Sequence, residues 1–137
     1  LLKGLEEAGK KKPYKIVIMN GYPGTMVSEL RKEGFHAVLD PLVEKGEVEI
    51  VLEEWGYYDA AKAMTIMETL LAKRKDIDGV VCANDDMALG VIKAIEAAGL
   101  TPGKDIIVVG YDAIEEAIKT WIAQPLKDAK GKVNFNE

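Results

Sequence analysis

The most informative segment of this chain is Val80-Val81-Cys82-Ala83-Asn84-Asp85-Asp86-Met87-Ala88-Leu89-Gly90. Its apolar first part is typical of a buried strand, and a helix follows directly after a polar trio, for which we predict Asp85 or Asp86 as the cap. Asn84 and Asp85 then lie at the carboxyl end of a strand. In open α/β sheets, ligands bind at that edge.

The same junction occurs at two other places in the chain. An apolar strand over residues 14–19 stops at Asn20-Gly21-Tyr22-Pro23-Gly24, and another over residues 106–109 stops, after Gly110, at Tyr111-Asp112. Carboxyl ends of parallel strands share one edge of a sheet. We therefore expect polar and aromatic groups from three strand ends to converge on one ligand.

Strands and helices alternate along the rest of the chain. Alternation of this kind predicts a three-layer α/β sandwich with a mostly parallel, flavodoxin-like sheet of order 2-1-3-4-5. The predicted strands cover residues 14–19, 48–52, 79–83, 106–109 and 121–124, and the predicted helices cover 27–43, 60–73, 85–98 and 113–119. Residues 1–124 are interpreted as a single α/β lobe, and 125–137 as a tail or a joined final segment.

Composition limits the classes of function. A length of 137 residues fits one domain, and the net charge of −5 argues against nucleic acid as a partner. No apolar run approaches the length of a bilayer span, so direct membrane insertion is not expected. Cys82 is the sole cysteine and lies in an apolar strand, which excludes an internal disulfide and predicts a buried thiol.

Two segments next to the predicted strand ends have defined expectations. The helix over residues 27–43 is expected to bury Leu30, Phe35, Val38 and Leu39. Residues 54–58 are interpreted as an aromatic loop that contains Trp55, and Asp59 is predicted to cap the next helix. In the loop over residues 20–25 the glycines are interpreted as turn residues rather than as a phosphate cradle, and Thr25 as a possible helix cap.

Four residues are candidates for ligand contact. Arg31 lies one to two turns into its helix, and its guanidinium can reach back over the strand ends to bond hydroxyl or carboxylate oxygens. An aromatic residue of the 54–58 segment, Trp55, Tyr57 or Tyr58, offers a flat ring to the C–H face of a sugar. Asn84 and Asp112 follow neighbouring strands, one position too early for helix capping to explain them fully. The alternatives are a surface arginine, a lid on the core and helix caps.

No catalytic set emerges from the sequence. His36 is the single histidine and is expected on the surface, Ser28 has no partner at a telling spacing, and no cysteine–histidine spacing fits a metal. Acidic residues are missing from the end of the first strand, which argues against a phospho-acceptor domain. We therefore expect a non-enzymatic binding domain with no cofactor and no metal.

Four motifs in order resemble the C-terminal lobe of type I periplasmic sugar-binding proteins, the ribose, galactose and xylose binders of bacterial uptake systems. The motifs are Gly24-Thr25 with Arg31-Lys32-Glu33-Gly34-Phe35, Tyr58-Asp59, Ala83 to Gly90, and Val108 to Asp112. The resemblance covers about residues 14–120. It implies non-covalent binding of a monosaccharide, a pentose or hexose, in the periplasm, and an ABC-type membrane permease as the partner of the intact protein.

The resemblance also implies roles for individual residues. Arg31 would bond sugar hydroxyls or the ring oxygen, and Tyr58 would stack on the sugar. Asn84 and Asp112 would hold hydroxyls from the strand ends, and Gln124 would be a polar residue at the hinge crossing. The same lobe occurs in the effector-binding cores of lactose-repressor-like transcription factors, which is the alternative interpretation. The family has two lobes, and this chain matches one.

Overall fold

The computed structural model describes residues 1–111, and its centre is a parallel sheet. Within these residues the strands are β1 (Tyr14–Asn20), β2 (Val48–Trp55), β3 (Gly79–Cys82) and β4 (Ile107–Val109). They are arranged in the order β2-β1-β3-β4, and every pair is parallel. The predicted order of the first four strands is confirmed. The predicted fifth strand, the helix over 113–119 and the tail over 125–137 lie outside the described residues.

Helices cover both faces of the sheet. They are α1 (Leu2–Glu7), α2 (Met26–Glu44), α3 (Ala60–Lys73) and α4 (Asp85–Ala97). One face, with Ile16, Ile18 and Val81, packs against α1 and α2, whereas the other face, with Val17 and Val80, packs against α3 and α4. Alternate residues of a strand point to opposite faces, and both sets here are apolar because both faces are covered. The three-layer prediction is confirmed.

Helix α4 is largely buried in the layer that it shares with α3. Residues Met87 to Ile92 are all buried, and Gly90 allows the α3 backbone to come close, because a Cβ there would lie 2.0 Å from the carbonyl oxygen of Ala60. The prediction that Asp85 or Asp86 caps α4 is wrong. Asn84 is the cap, since its backbone is extended and its Oδ1 accepts from the Met87 N–H at 3.0 Å. The two aspartates occupy the first turn, where the helix dipole favours acids.

Helix α2 lies more loosely on its face of the sheet. Its buried residues are Ser28 and Leu39, whereas Leu30 is 59% exposed and Val38 55% exposed, against the prediction. Adjacent residues are turned by about 100° around a helix, so Val38 points along the sheet surface when Leu39 points into it. Leu30 and Val38 instead line an open groove with Leu1 and Leu2.

Strand β2 is longer than predicted and stands at one edge of the described sheet. It ends at Trp55, which pairs with Asn20, so Trp55 is a strand residue and not part of a loop. Alternation alone ends the strand at Leu52, because Glu53 and Glu54 interrupt the pattern. The ladder with β1 continues past them. Among residues 1–111, no helix combines the length and the apolar character that crossing a bilayer requires.

Candidate functional site

Arg31 occupies the centre of the carboxyl edge of the sheet. It is half-buried in the second turn of α2, and its Nη1 donates to the carbonyl oxygen of Ala83, the residue that follows β3. Its Cζ lies 4.5 Å from the ring centroid of Tyr111 and 6.0 Å from that of Tyr58. The arginine thereby connects α2 with the segments that follow β2, β3 and β4. The side chain reaches over the strand ends as the spacing predicts, and its role toward a ligand stays a prediction.

The turn after β2 is held against the end of β1. The Gly56 N–H donates to the Asn20 carbonyl at 2.7 Å, and the Tyr57 N–H donates to the Gly21 carbonyl at 3.1 Å. Tyr57 and Tyr58 both have left-handed backbones, with φ of 58° and 56°. Non-glycine residues adopt this conformation when surrounding contacts enforce it, and such residues cluster at functional sites.

Helix α3 begins directly after this turn. As predicted, Asp59 is its N-cap, and the carboxylate accepts from the Ala61 N–H at 2.8 Å and the Lys62 N–H at 3.4 Å. A capped helix start gives the preceding residues a fixed exit direction. The conformation of Tyr57 and Tyr58 is therefore set from both sides, by β1 before them and by α3 after them.

Three tyrosines form an aromatic cluster on the same edge. The rings of Tyr22 and Tyr57 meet edge-on, with 5.0 Å between their centroids. The rings of Tyr22 and Tyr58 are tilted relative to each other, with 6.0 Å between their centroids. Tyr22 is 47% exposed, so the cluster presents aromatic surface to solvent. Tyr22 was expected at a strand end but was not among the residues predicted to contact the ligand, because its loop was interpreted through its glycines. The signal was present, since Tyr22 follows a strand end just as Tyr111 does.

The hydroxyl group of Tyr58 points away from solvent. It lies 2.8 Å from Oγ of Ser28, which also accepts from the Tyr22 N–H at 2.8 Å. Ser28 is fully buried. Sequence reasoning set Ser28 aside because its partners are six and thirty residues away along the chain. Separations of this kind become visible only after the strands have paired.

Asn84 lies at the carboxyl edge of the sheet and also caps helix α4. It is 7% exposed, and its Oδ1 is used by the α4 cap. The premise that Asn84 lies one position too early to cap the helix is wrong, and its predicted contact with a ligand stays a prediction. The amide Nδ2 is the remaining group that can donate to a ligand.

Asp112 and Gln124 lie outside the described residues, so their predicted ligand contacts stay predictions. The residue before Asp112 is Tyr111, whose ring lies beneath the Arg31 guanidinium.

The loop between β1 and α2 uses its own backbone donors. The Tyr22 N–H donates to Ser28, and the Gly24 N–H donates to Oε1 of Glu29 at 3.2 Å. Gly24 has φ of 83°, which fits its interpretation as a turn residue. Thr25 stands at the N-cap position of α2, but its hydroxyl donates to the Tyr22 carbonyl at 3.2 Å instead of capping the helix. A phosphate cradle needs free N–H groups, and these two are already bonded to Ser28 and Glu29.

A polar cluster, which we call the His36 cluster, joins α2 to β2 below the site. Nε2 of His36 lies 3.0 Å from the Glu53 carboxylate, and Nδ1 lies 2.8 Å from Asp40. Nδ2 of Asn20 donates to Glu53 at 2.8 Å. The predicted surface position of His36 thus needs correction, since its side chain is 28% exposed and bridges two elements.

The charged forms of His36 and Glu53 stabilise each other in the His36 cluster. Hydrogen bonds to Glu53 and then to Asp40 raise the pKa of His36. Burial raises the pKa of Glu53, but the hydrogen bonds from His36 and Asn20 outweigh burial, so the pKa is lowered overall. An imidazolium and a carboxylate each favour the charged form of the other.

The described residues show no group of three or more side chains arranged to hold a metal. Cys82 is fully buried, and burial raises the pKa of its thiol, which disfavours the reactive thiolate. The site therefore offers hydrogen-bond donors and acceptors and aromatic surface, which are groups suited to recognition of a polar, partly apolar molecule.

Comparisons with known proteins show the family and the fold to which the chain is similar. Residues 1–135 match the model of a family described as "Periplasmic binding protein domain". The chain is 34% identical over 116 residues to the ribose import binding protein of Bacillus subtilis, covering 85% of this chain and 33% of that protein. It is 39% identical over 104 residues to the D-xylose-binding periplasmic protein of Haemophilus influenzae, covering 74% and 31%. The chain thus spans about a third of the length of these relatives.

Solved structures show the same similarity. A periplasmic solute binding protein of an ABC transporter from Actinobacillus succinogenes, with bound D-allose, matches with a TM-score of 0.72 at 33% identity, covering 90% of this chain and 42% of that one. The binding protein of the arabinose ABC transporter from Shewanella, bound to L-arabinofuranose, matches with a TM-score of 0.75 at 29% identity, covering 87% and 38%.

Proposed function

This chain belongs to the periplasmic binding protein domain family, and from that premise we propose that it is one lobe of a protein that binds a monosaccharide for an ABC-type importer. The intact protein would hold the sugar between this lobe and a second one. The ligand would be a pentose or hexose, bound without covalent change. Its partner would be a membrane permease, and its compartment the periplasm.

The observation that carries the proposal is the position of Arg31 between two tyrosine rings at the carboxyl edge. A guanidinium presents several donors in one plane, and the rings of Tyr58 and Tyr111 offer apolar faces beside them. A monosaccharide has the matching surface, with hydroxyl groups around its rim and C–H bonds on its faces. This combination favours a neutral, hydroxyl-rich ligand.

The names of the relatives support a sugar and support transport. They include binding proteins for ribose and D-xylose, and solved structures with D-allose and L-arabinofuranose. The first two are named as an import binding protein and a periplasmic protein, which favours uptake over the alternative of a repressor effector core.

Three further polar side chains would complete the contribution of this lobe. Nδ2 of Asn84 would donate to a hydroxyl, because Oδ1 is already engaged in the cap. Asp112 would accept from hydroxyls beside Tyr111, and Gln124 would contact the ligand at the hinge between the lobes. A single lobe supplies one wall of such a site, so we expect the second lobe to contribute about half of the hydrogen bonds and the opposing stacking surface. Closure of the hinge would trap the sugar and present a closed shape to the permease.

Isothermal titration of the full-length protein with a panel of pentoses and hexoses tests the proposal. We expect at least one sugar to bind and to be recovered chemically unchanged. Arg31→Ala should weaken that binding by about 100-fold, because hydrogen bonds to a charged group contribute about 1.5–3 kcal/mol. The matched control is Arg74→Ala, since Arg74 pairs with Asp76 at the other end of α3, away from the carboxyl edge. Sugar binding that is equal in both variants would refute the proposed site.

A further inference from the structure

We propose that Ser28 is a positioning residue that fixes the ring of Tyr58 as a wall of the ligand site. This inference rests on the proposed function, because it assigns Tyr58 a contact with the sugar. Ser28 itself is fully buried and therefore acts through the tyrosine.

The hydrogen-bond arrangement of Ser28 is the first observation. Its Oγ accepts from the Tyr22 N–H at 2.8 Å, which orients the serine hydroxyl from the side of the β1–α2 loop. The same oxygen lies 2.8 Å from the hydroxyl of Tyr58. A hydroxyl group has one donor and two acceptor positions, so one serine can satisfy both partners. Ser28 therefore ties the turn after β2 to the loop after β1.

Gly21 provides the space that this arrangement needs. A Cβ at Gly21 would lie 2.2 Å from Cζ of Tyr58, 2.5 Å from its Oη and 2.6 Å from Oγ of Ser28. Any side chain larger than hydrogen would therefore collide with both hydroxyl-bearing groups. The tip of Tyr58 lies directly over the Gly21 backbone, in a socket formed by Gly21 and Ser28.

The backbone of Tyr58 shows why such a socket is useful. The φ angle of 56° is unfavourable for a tyrosine, and Tyr57 before it has the same type of conformation. Conformations of this kind persist where surrounding contacts over-determine them. The Ser28 hydrogen bond at the far end of the ring is such a contact, since it fixes the Tyr58 side chain while the Asn20 and Gly21 carbonyls hold the backbone of Gly56 and Tyr57 before it.

The hydrogen bond to Ser28 holds the Tyr58 ring in position before the sugar binds. The hydroxyl of Tyr58 is hydrogen-bonded to Ser28, and its ring centroid lies 6.0 Å from Cζ of Arg31. A preformed wall lowers the ordering cost of binding. A phenylalanine at this position would offer the same face to a sugar but would lack the hydroxyl that Ser28 holds.

A double-mutant cycle in the full-length protein tests the proposal. Ser28→Ala and Tyr58→Phe each remove one side of the same hydrogen bond, so each should weaken sugar binding by about 5-fold. The double variant should be no weaker than the weaker single variant, because the bond can be lost only once. The control Thr25→Ala removes a hydroxyl from the same loop that does not touch Tyr58, and it should change the dissociation constant less than about 2-fold.

A measurement without sugar separates this inference from the proposed function. In protein labelled with ¹³C in the tyrosine side chains, NMR relaxation should show larger motion of the Tyr58 ring axis in Ser28→Ala than in the wild type, and unchanged motion in Thr25→Ala. Larger motion of the axis together with a non-additive cycle supports the positioning role. Unchanged motion of the axis overturns it, as do additive losses of affinity. If no sugar binds but the axis becomes more mobile in Ser28→Ala, the proposed function fails while the socket stands, although its role as a wall of a sugar site fails with that function.

Discussion

Helices α4 and α2 lie on opposite faces of one sheet and are attached to it in different ways. Helix α4 is buried along nearly its whole length, and its residues from Met87 to Ile92 are enclosed by the sheet and α3. Helix α2 is longer but buries only Ser28 and Leu39, and polar contacts supply much of its attachment. These are the Arg31 bond to Ala83, the Ser28 bonds and the His36 cluster.

The difference separates the part of the described structure that supplies stability from the part that positions the proposed site. Apolar burial is non-directional, so the α3–α4 face can supply stability without specifying a ligand. Hydrogen bonds fix direction, and they place Arg31 and Tyr58 at the carboxyl edge. We therefore expect substitutions in α4 to act mainly on stability and substitutions in α2 to act mainly on geometry.

The largest effect on stability is expected from a glycine exchange in α4. Gly90→Ala places a Cβ 2.0 Å from the carbonyl oxygen of Ala60, and backbone cannot move aside as a flexible side chain can. It should lower the free energy of unfolding by about 3 kcal/mol. Chemical denaturation measures this directly.

The matched control is Gly34→Ala in α2, where no described atom lies within 4 Å of the added carbon. It should stabilise the protein by about 0.5–1 kcal/mol, because alanine is the better helix former. An equal loss of unfolding free energy in Gly90→Ala and Gly34→Ala would contradict the difference in packing between α4 and α2.

An intermediate effect is expected at the two helix starts. Asn84→Ala removes the side-chain cap of α4 and should cost about 1 kcal/mol of unfolding free energy. Thr25→Ala, at the corresponding position of α2, should cost less than about 0.5 kcal/mol, since its hydroxyl does not cap the helix. Urea unfolding of both variants compares them, and a larger loss in Thr25→Ala would contradict the assignment of the caps.

The smallest effect is expected from the His36 cluster, and it depends on pH. The pKa of His36 is raised above its ordinary value of 6.5, so its stabilising contribution is fully present below that value and is lost as pH rises through the raised pKa. The pKa of Glu53 is lowered from 4.5, so its contribution is present above that value and is lost as pH falls through the lowered pKa.

The single histidine makes this effect easy to isolate. The difference in unfolding free energy between the wild type and His36→Gln should be largest at mildly acidic pH, where imidazolium and carboxylate are both charged, and should shrink toward alkaline pH. A difference that stays constant with pH would show that the cluster contributes no charge-dependent stability.

Much of the fold could be predicted from the sequence because its signals are local. Apolar strands followed directly by polar residues located β1, β3 and β4, and the alternation with helices gave the order of the first four strands. The errors lie where long-range contacts decide. Trp55 continues β2 because β1 extends beside it, and Leu30 and Val38 are exposed because the sheet contacts a narrower strip of α2 than the apolar pattern indicates.

Some residues of the candidate site could likewise be identified from local sequence signals, and others could not. Arg31 and Tyr58 were identifiable, since one lies near a helix start and the other follows a predicted strand. No individual role at the site was predicted for Ser28, Gly21 or Tyr22, because their contacts join segments that only tertiary structure brings together. Positioning residues are generally silent in sequence patterns for this reason.

The most direct test of the central claim is a crystal structure of the full-length protein with the monosaccharide that raises its melting temperature most. We predict sugar oxygens within hydrogen-bond distance of the Arg31 guanidinium and the Asn84 amide, with the Tyr58 ring against the sugar and its hydroxyl on Ser28. A sugar bound elsewhere on the protein, with no sugar oxygen within hydrogen-bond distance of Arg31, would contradict the claim.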